Sequence, residues 1–143
     1  EINKAADENK LDSYYITALI REESYFNNEA KSNTYASGLM QLMPDTANWL
    51  LTKQGMNTAV NLEDAESNIN LGCSYLKYLK EKFNDDMLVT VAYNGGEGSV
   101  SKWIKQYGLD DYDLFIENIP YEETRNYVKK VFASYHMYRK IYK

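Results

Sequence analysis

Glu23 is an acid set into the apolar stripe of an amphipathic helix. Between Ser13 and Phe26 the apolar residues Ile16, Leu19, Ile20 and Phe26 recur at helical spacing, and Glu23 falls on the same face. At about 100° per residue it lies within roughly 20° of Ile16, whereas Glu22 points away from the stripe. A carboxyl group facing apolar packing favours its neutral form, so its pKa rises. A shift of about two units corresponds to roughly 2.7 kcal/mol. An acid still protonated near neutral pH has the property needed to protonate a leaving glycosidic oxygen. A helix-face acid paired with a buried Arg or Tyr gives the same pattern, and the stripe alone leaves both readings open.

Three further clusters carry chemical potential. Gly38-Leu39-Met40-Gln41-Leu42-Met43-Pro44 is a Gly-led apolar turn holding one amide; it reads as a simple loop-to-helix entry, except that Gln41 needs partners if buried. Ala92-Tyr93-Asn94-Gly95-Gly96 has glycines that let a backbone approach a ligand closely, although a helix C-cap accounts for it equally well. In Ile119-Pro120-Tyr121-Glu122-Glu123-Thr124-Arg125-Asn126-Tyr127-Val128, Tyr127 shares a stripe with Val128, Val131 and Tyr135, which directs its hydroxyl inward.

The elements that must position these residues read as helices throughout, with no convincing period-two strand. A short helix covers about Ile2 to Asn9, and a second runs from Asp12 or Ser13, both good caps, to Phe26. Asn27 to Ser37 is polar and irregular. Pro44 at a first helical position opens a helix to about Thr52, followed by a loop from Gly55 to Asp64. Longer helices are expected from about Ala65 to Phe83 and from about Asp86 to Tyr93, where the cluster Asn94 to Gly98 breaks the chain. Ser99 to Tyr107, Asp113 to Asn118 and Tyr121 to about Tyr142 complete the set. Short connections and the lack of repeats or linkers make residues 1–143 one domain.

Composition narrows the chemistry. The net charge of −5 argues against nucleic acid, which calls for a basic face. One Cys and one His are too few soft ligands for a zinc site, so metal-free, cofactor-free chemistry is expected. Cys73 rules out an intrachain disulfide, and its stripe with Ile69, Leu76, Leu79 and Phe83 makes it a buried structural thiol. No apolar run approaches a membrane span, so membrane insertion by this domain is not expected. The start at Glu1 suggests a processed or excised domain from which any export signal or anchor has been removed. The 14 Tyr offer apolar faces and hydroxyls suited to packing and to sugar rings alike.

Taken in order, Glu23-Ser24, Gly38 to Gln41, Ala92 to Asn94 and Glu123 to Tyr127 resemble the lytic transglycosylases of the soluble-lytic-transglycosylase (SLT), lysozyme-like kind. The resemblance covers about Leu11 to Tyr138. It implies a mostly α, lysozyme-like single globular domain with a glycan-binding cleft. Glu23 is expected at the cleft floor, between the turn from Gly38 to Met43 and Tyr93. By the same resemblance Glu23 is the sole catalytic acid and base, and Tyr127 hydrogen-bonds and orients it. Ser24 neighbours the reacting sugar, Gln41 holds substrate N-acetyl or hydroxyl groups, and Met43 lines that subsite. Tyr93 and Asn94 flank the cleaved bond, and Glu123 is a further cleft contact. Two positions depart from the family pattern: Glu22, on the face away from the cleft, replaces a usual glutamine, and Gly96 stands where alanine or glycine is common.

The implied substrate is peptidoglycan, cleaved between N-acetylmuramic acid and N-acetylglucosamine without water to leave 1,6-anhydromuramyl ends. Retaining hydrolysis would need a second carboxylate about 5–5.5 Å from the first. No second acid occupies a motif position suggesting that role, although Asp45, Asp64 and Glu123 remain open for it. A hydrolytic muramidase resembling goose-type lysozyme is the alternative enzyme. A non-catalytic wall-binding module and a Tyr-rich helical interaction module are the alternatives outside enzymes. The implied setting is extracytoplasmic: secreted, in the cell wall, or membrane-anchored in the full-length protein, with the domain a monomer.

Overall fold

The computed structural model describes residues 1–142. Among them eight α-helices form, in the order α1 (Ile2–Asn9), α2 (Ser13–Ser24), α3 (Pro44–Lys53), α4 (Ala65–Phe83), α5 (Asp86–Gly95), α6 (Glu97–Tyr107), α7 (Tyr112–Asn118) and α8 (Glu122–Tyr142). Among the described residues β-type pairing is confined to isolated antiparallel bridges that Ser37 makes with Lys31 and Leu42.

The organising helix is α5. Its consecutive residues Leu88, Val89, Thr90, Val91 and Ala92 are all buried, the mark of a helix covered on every side. α4, α6 and α8 surround it, α2 lies along α8, and α1 closes against α2 and α4. Ile16, Leu19 and Ile20 from α2 meet Val128 and Val131 from α8 in this core, together with Cys73, Leu76 and Leu79 from α4. Thr90 joins the same interior: its hydroxyl donates to the Asp86 carbonyl at 2.7 Å and accepts from Tyr15 at 2.6 Å. A smaller cluster of Leu42, Ala47, Leu50, Leu51 and Leu71 seats α3 on α4.

Four helices begin alike. Asp12, Asp64, Asp85 and Asp111 each accept a hydrogen bond from a first-turn amide, those of Tyr14, Ser67, Leu88 and Leu114. Each such cap contributes about 1 kcal/mol and satisfies one amide that the helix cannot.

The periodicity extends α2 to Phe26, but the helix ends at Ser24 because Tyr25 and Phe26 both turn left-handed, at φ 50° and 63°. The break expected across Asn94 to Gly98 shrinks to Gly96: α5 runs through Gly95 and α6 begins at Glu97. Among the described residues no helix is long and apolar enough to cross a membrane.

Candidate active site

The cleft begins with a loop held both by its own backbone bonds and by a side chain from another element. Residues 25–43 cross from α2 to α3, and a side chain of α4 clamps them. Asn68, fully buried, accepts from the Met40 amide at 2.8 Å and donates to the carbonyls of Ser37 and Leu62, both at 2.9 Å. All of its amide chemistry therefore goes to backbone groups of the turn and of the loop before α4. The turn presses so closely on α4 that Gly38, at φ +82°, has no room for a Cβ, which would run into Asn68 and the Leu62 carbonyl. Gly72, one turn further along α4, leaves the corresponding space for the Met40 thioether.

Against this turn, α2, α5 and α8 frame an open cleft of about 590 Å³. Glu23 and Tyr25 come from the end of α2, Gln41 and Met43 from the turn, Tyr93 and Asn94 from the end of α5, and Glu123 and Tyr127 from α8. Burial, and secondarily the charge of Glu123, pushes the Glu23 pKa up to about 8. The carboxyl group is therefore an acid carrying its proton at neutral pH. Burial also holds the hydroxyls of Tyr93 and Tyr127 in their neutral form, with the neighbouring Glu23 charge adding to the effect.

The two amides are oriented by their neighbours. Gln41 donates Nε2 to the carbonyls of Ala30 and Gly38, both at 2.9 Å, which leaves Oε1 to accept from a ligand. Gln41 adopts a left-handed backbone, φ 49°, to do so. Asn94 accepts from the Thr124 hydroxyl through Oδ1 at 2.8 Å, which leaves its amide N–H groups to donate. An acceptor and a donor on one cleft suit the N–H and C=O of an acetamido group.

The structure thus brings Glu23, Gln41, Met43, Tyr93, Asn94, Glu123 and Tyr127 to a single cleft. Ser24 is not among its lining; it is buried and donates to the Leu39 carbonyl at 2.8 Å, fastening the helix end to the turn. Tyr127 makes no hydrogen bond to Glu23, and its buried hydroxyl has no partner. Glu22, expected to face away, lines the cleft as well and accepts from Ser134 at 3.0 Å. The cleft spans more of the α2 circumference than the apolar stripe does, so the stripe alone misplaced Glu22.

Of the other acids left open, Asp64 caps α4 and Asp45 lies outside this cleft. Tyr25, Asn126 and Lys130 are cleft residues that no motif singled out. Asn68 was also missed. Its signal was a polar side chain on the α4 face shared with Leu71 and Gly72, the same anomaly that pointed to Glu23 on α2.

A mostly helical, lysozyme-like domain with one protonated acid in an open cleft is the class that these features define. The chain belongs to the transglycosylase SLT domain family, whose model matches residues 1–116. It is 42% identical over 130 residues to a soluble lytic murein transglycosylase of Escherichia coli (strain K12), an alignment covering 87% of this chain and 20% of the relative. It is 31% identical over 164 residues to a membrane-bound lytic murein transglycosylase C of Edwardsiella ictaluri, covering 98% of this chain and 46% of the relative. The crystal structure of the 70 kDa soluble lytic transglycosylase from Escherichia coli matches with a TM-score of 0.90 at 36% identity, over 97% of this chain and 23% of that one. The chain therefore spans about a fifth of the length of the first curated relative.

Proposed function

We propose that this domain is a lytic transglycosylase that cleaves the bond between N-acetylmuramic acid and N-acetylglucosamine in peptidoglycan and leaves 1,6-anhydro ends. The observation that carries this reading is the Glu23 carboxyl, buried in the cleft with its pKa raised to about 8. Such a group is roughly nine-tenths protonated at pH 7 and can pass its proton to the glycosidic oxygen as the C–O bond breaks. The substrate's own acetamido oxygen then stabilises the anomeric carbon, held by Gln41 and Asn94. The Glu23 carboxylate, raised in energy by burial and by Glu123, withdraws the proton of the 6-hydroxyl, which closes onto the anomeric carbon. Tyr127, with a buried hydroxyl lacking a partner in the same cleft, donates to that carboxylate while it is ionised.

On this reading the domain occupies all of residues 1–143, because α8, which lies beyond the family match, supplies Glu123 and Tyr127 to the cleft. The partners are glycan strands, not nucleic acid or a membrane, and the reaction needs no cofactor. The domain acts as a monomer, outside the cytoplasm, within a longer protein.

Digestion of purified peptidoglycan by the wild-type domain and by Glu23→Gln, read by mass spectrometry of the muropeptides, tests the proposal. Products lighter by one water molecule than reducing-end muropeptides, absent with Glu23→Gln, are expected. The carboxyl groups of Glu22 and Glu123 on the same cleft favour hydrolysis as the second reading, since either would position a water. Ordinary reducing ends would establish that reading instead.

A further inference from the structure

The cleft does not stop at Gln41, Met43, Tyr93 and Asn94. The same four residues line an adjoining pocket of about 280 Å³ that reaches Thr46 and Tyr75. Thr46 and Tyr75 in turn line an outer trough of about 440 Å³ bounded by Asp45, Trp49, Tyr78 and Glu97. A row of rings follows the same path. Tyr93 and Tyr75 have centroids 5.5 Å apart, Tyr75 and Tyr78 stack at 6.3 Å, and Tyr78 meets Trp49 edge-on at 4.8 Å.

The far end of this row is held in place. The Tyr78 hydroxyl donates to Glu97 Oε1 at 2.9 Å, and Lys82 pairs with the same oxygen at 2.9 Å. Lys53 sets its ammonium 4.6 Å from the Tyr78 ring centre and 5.2 Å from that of Trp49. Lys53 lines a separate cavity on the far side of Tyr78 and is not part of the trough wall, so it braces the rings from behind. Trp49 nevertheless remains 42% exposed. A large ring fixed in position yet left wet is preorganised for a ligand, with little rotamer freedom left to lose.

We propose that this outer trough is a distal glycan subsite, in which Trp49 stacks on a sugar ring of the strand whose cleavable bond lies at Glu23. The proposal rests on the reading of the cleft as a glycan-cleaving site. Continuity with that cleft names the strand itself as the occupant. The chemistry agrees: aromatic faces meet the apolar faces of a pyranose, while Asp45, Thr46 and the second oxygen of Glu97 accept from its hydroxyls. The two carboxylates disfavour an anionic ligand.

The test uses β-1,4-linked N-acetylglucosamine oligomers, a trimer and a hexamer, titrated into Glu23→Gln protein to prevent turnover. Trp103 is only 3% exposed, so a ligand-induced change in tryptophan emission reports on Trp49. The hexamer is expected to bind about tenfold more tightly than the trimer and to change the emission, which the trimer does not. Trp49→Ala in the same background should abolish most of that tenfold advantage, whereas Trp49→Phe should keep most of it while losing the emission change. A hexamer advantage unaltered by Trp49→Ala, or a hexamer that binds without changing the emission, would overturn the subsite and leave the catalytic reading intact. Failure of both oligomers to bind would overturn the glycan cleft and the subsite together.

Discussion

The Tyr93 hydroxyl donates to the Met40 carbonyl across 2.6 Å, a bond between residues 53 positions apart that ties the end of α5 to the turn carrying Gln41 and Met43. The two walls of the cleft are therefore fastened to one another directly beside Glu23. With its hydroxyl engaged in this way, Tyr93 offers a ligand mainly the surface of its ring. The motif named Tyr93, which lines the cleft, but it could not distinguish a hydroxyl that holds the wall from one that holds a sugar.

Tyr93→Phe removes the bond and leaves the Met40 carbonyl short of a donor. Stability is expected to fall by about 1 kcal/mol in urea unfolding. The larger effect should be on KM rather than kcat, because the variant loosens the binding wall while leaving the acid in place. A fall in kcat with KM unchanged would mean that the hydroxyl acts on the reacting atoms.

Glu23→Gln should inactivate the domain and stabilise it, with a defined pH dependence. The folded pKa of about 8 lies above the ordinary glutamate value of 4.5. The folded state thus holds the proton more tightly, and the wild type loses stability as pH rises from the lower value through the higher. Glutamine stays neutral throughout. The variant should match the wild type near pH 4 and exceed it by about 4–5 kcal/mol above about pH 8. Urea unfolding at the two pH values decides the matter, and an equal gain at both would remove the buried-acid account.

Glu123→Gln isolates the electrostatic contribution. Its charge is the second cause of the raised Glu23 pKa, after burial. Neutralising it should lower that pKa, so the alkaline fall of kcat/KM moves to lower pH by roughly half a unit to one unit. Burial persists, so the limb should remain well above the ordinary carboxylate range. A pH–rate profile of both proteins provides the measurement; an unmoved limb would show that Glu123 acts by contact alone.

Asn68→Ala removes three hydrogen bonds at once, strands the Met40 amide and the Leu62 carbonyl, and leaves the Ser37 carbonyl with the Leu42 amide alone. A loss of about 3 kcal/mol is expected in urea unfolding. Any protein that remains folded should bind glycan weakly, because the turn that carries Gln41 is no longer tied to α4. Wild-type stability in this variant would mean that the turn holds itself.

How much of this was legible in the sequence depended on how local the cause was. The helices stood out because their stripes lie within one or two turns of chain, and the aspartate caps are as local: Asp12 was legible, and Asp64, Asp85 and Asp111 likewise cap from immediately before their helices. The end of α2 was hidden, since Tyr25 and Phe26 take left-handed conformations that glycine or asparagine would normally signal. Residues 27–37 carried no period at all. Their path is fixed by irregular backbone bonds such as Gly38 to Ala30 at 2.9 Å and, from outside, by Asn68, and no local pattern encodes a partner about thirty residues away. Most of the motif residues line the cleft, but the hydrogen bonds they make were not legible. Ser24 is fastened to Leu39 and is not among the cleft lining, whereas Glu22 lines the cleft and accepts from Ser134 of α8.

Cys73 has no exposed surface, and burial pushes its thiol pKa up to about 12. Such a sulfur is inert while α4 stays packed against α5 and becomes available to a disulfide reagent only when that packing opens. With one cysteine in the chain, every labelled molecule records an opening at one known place. The labelling rate is then a native gauge of how often the core breathes, readable with the cleft empty or filled and without altering a single residue.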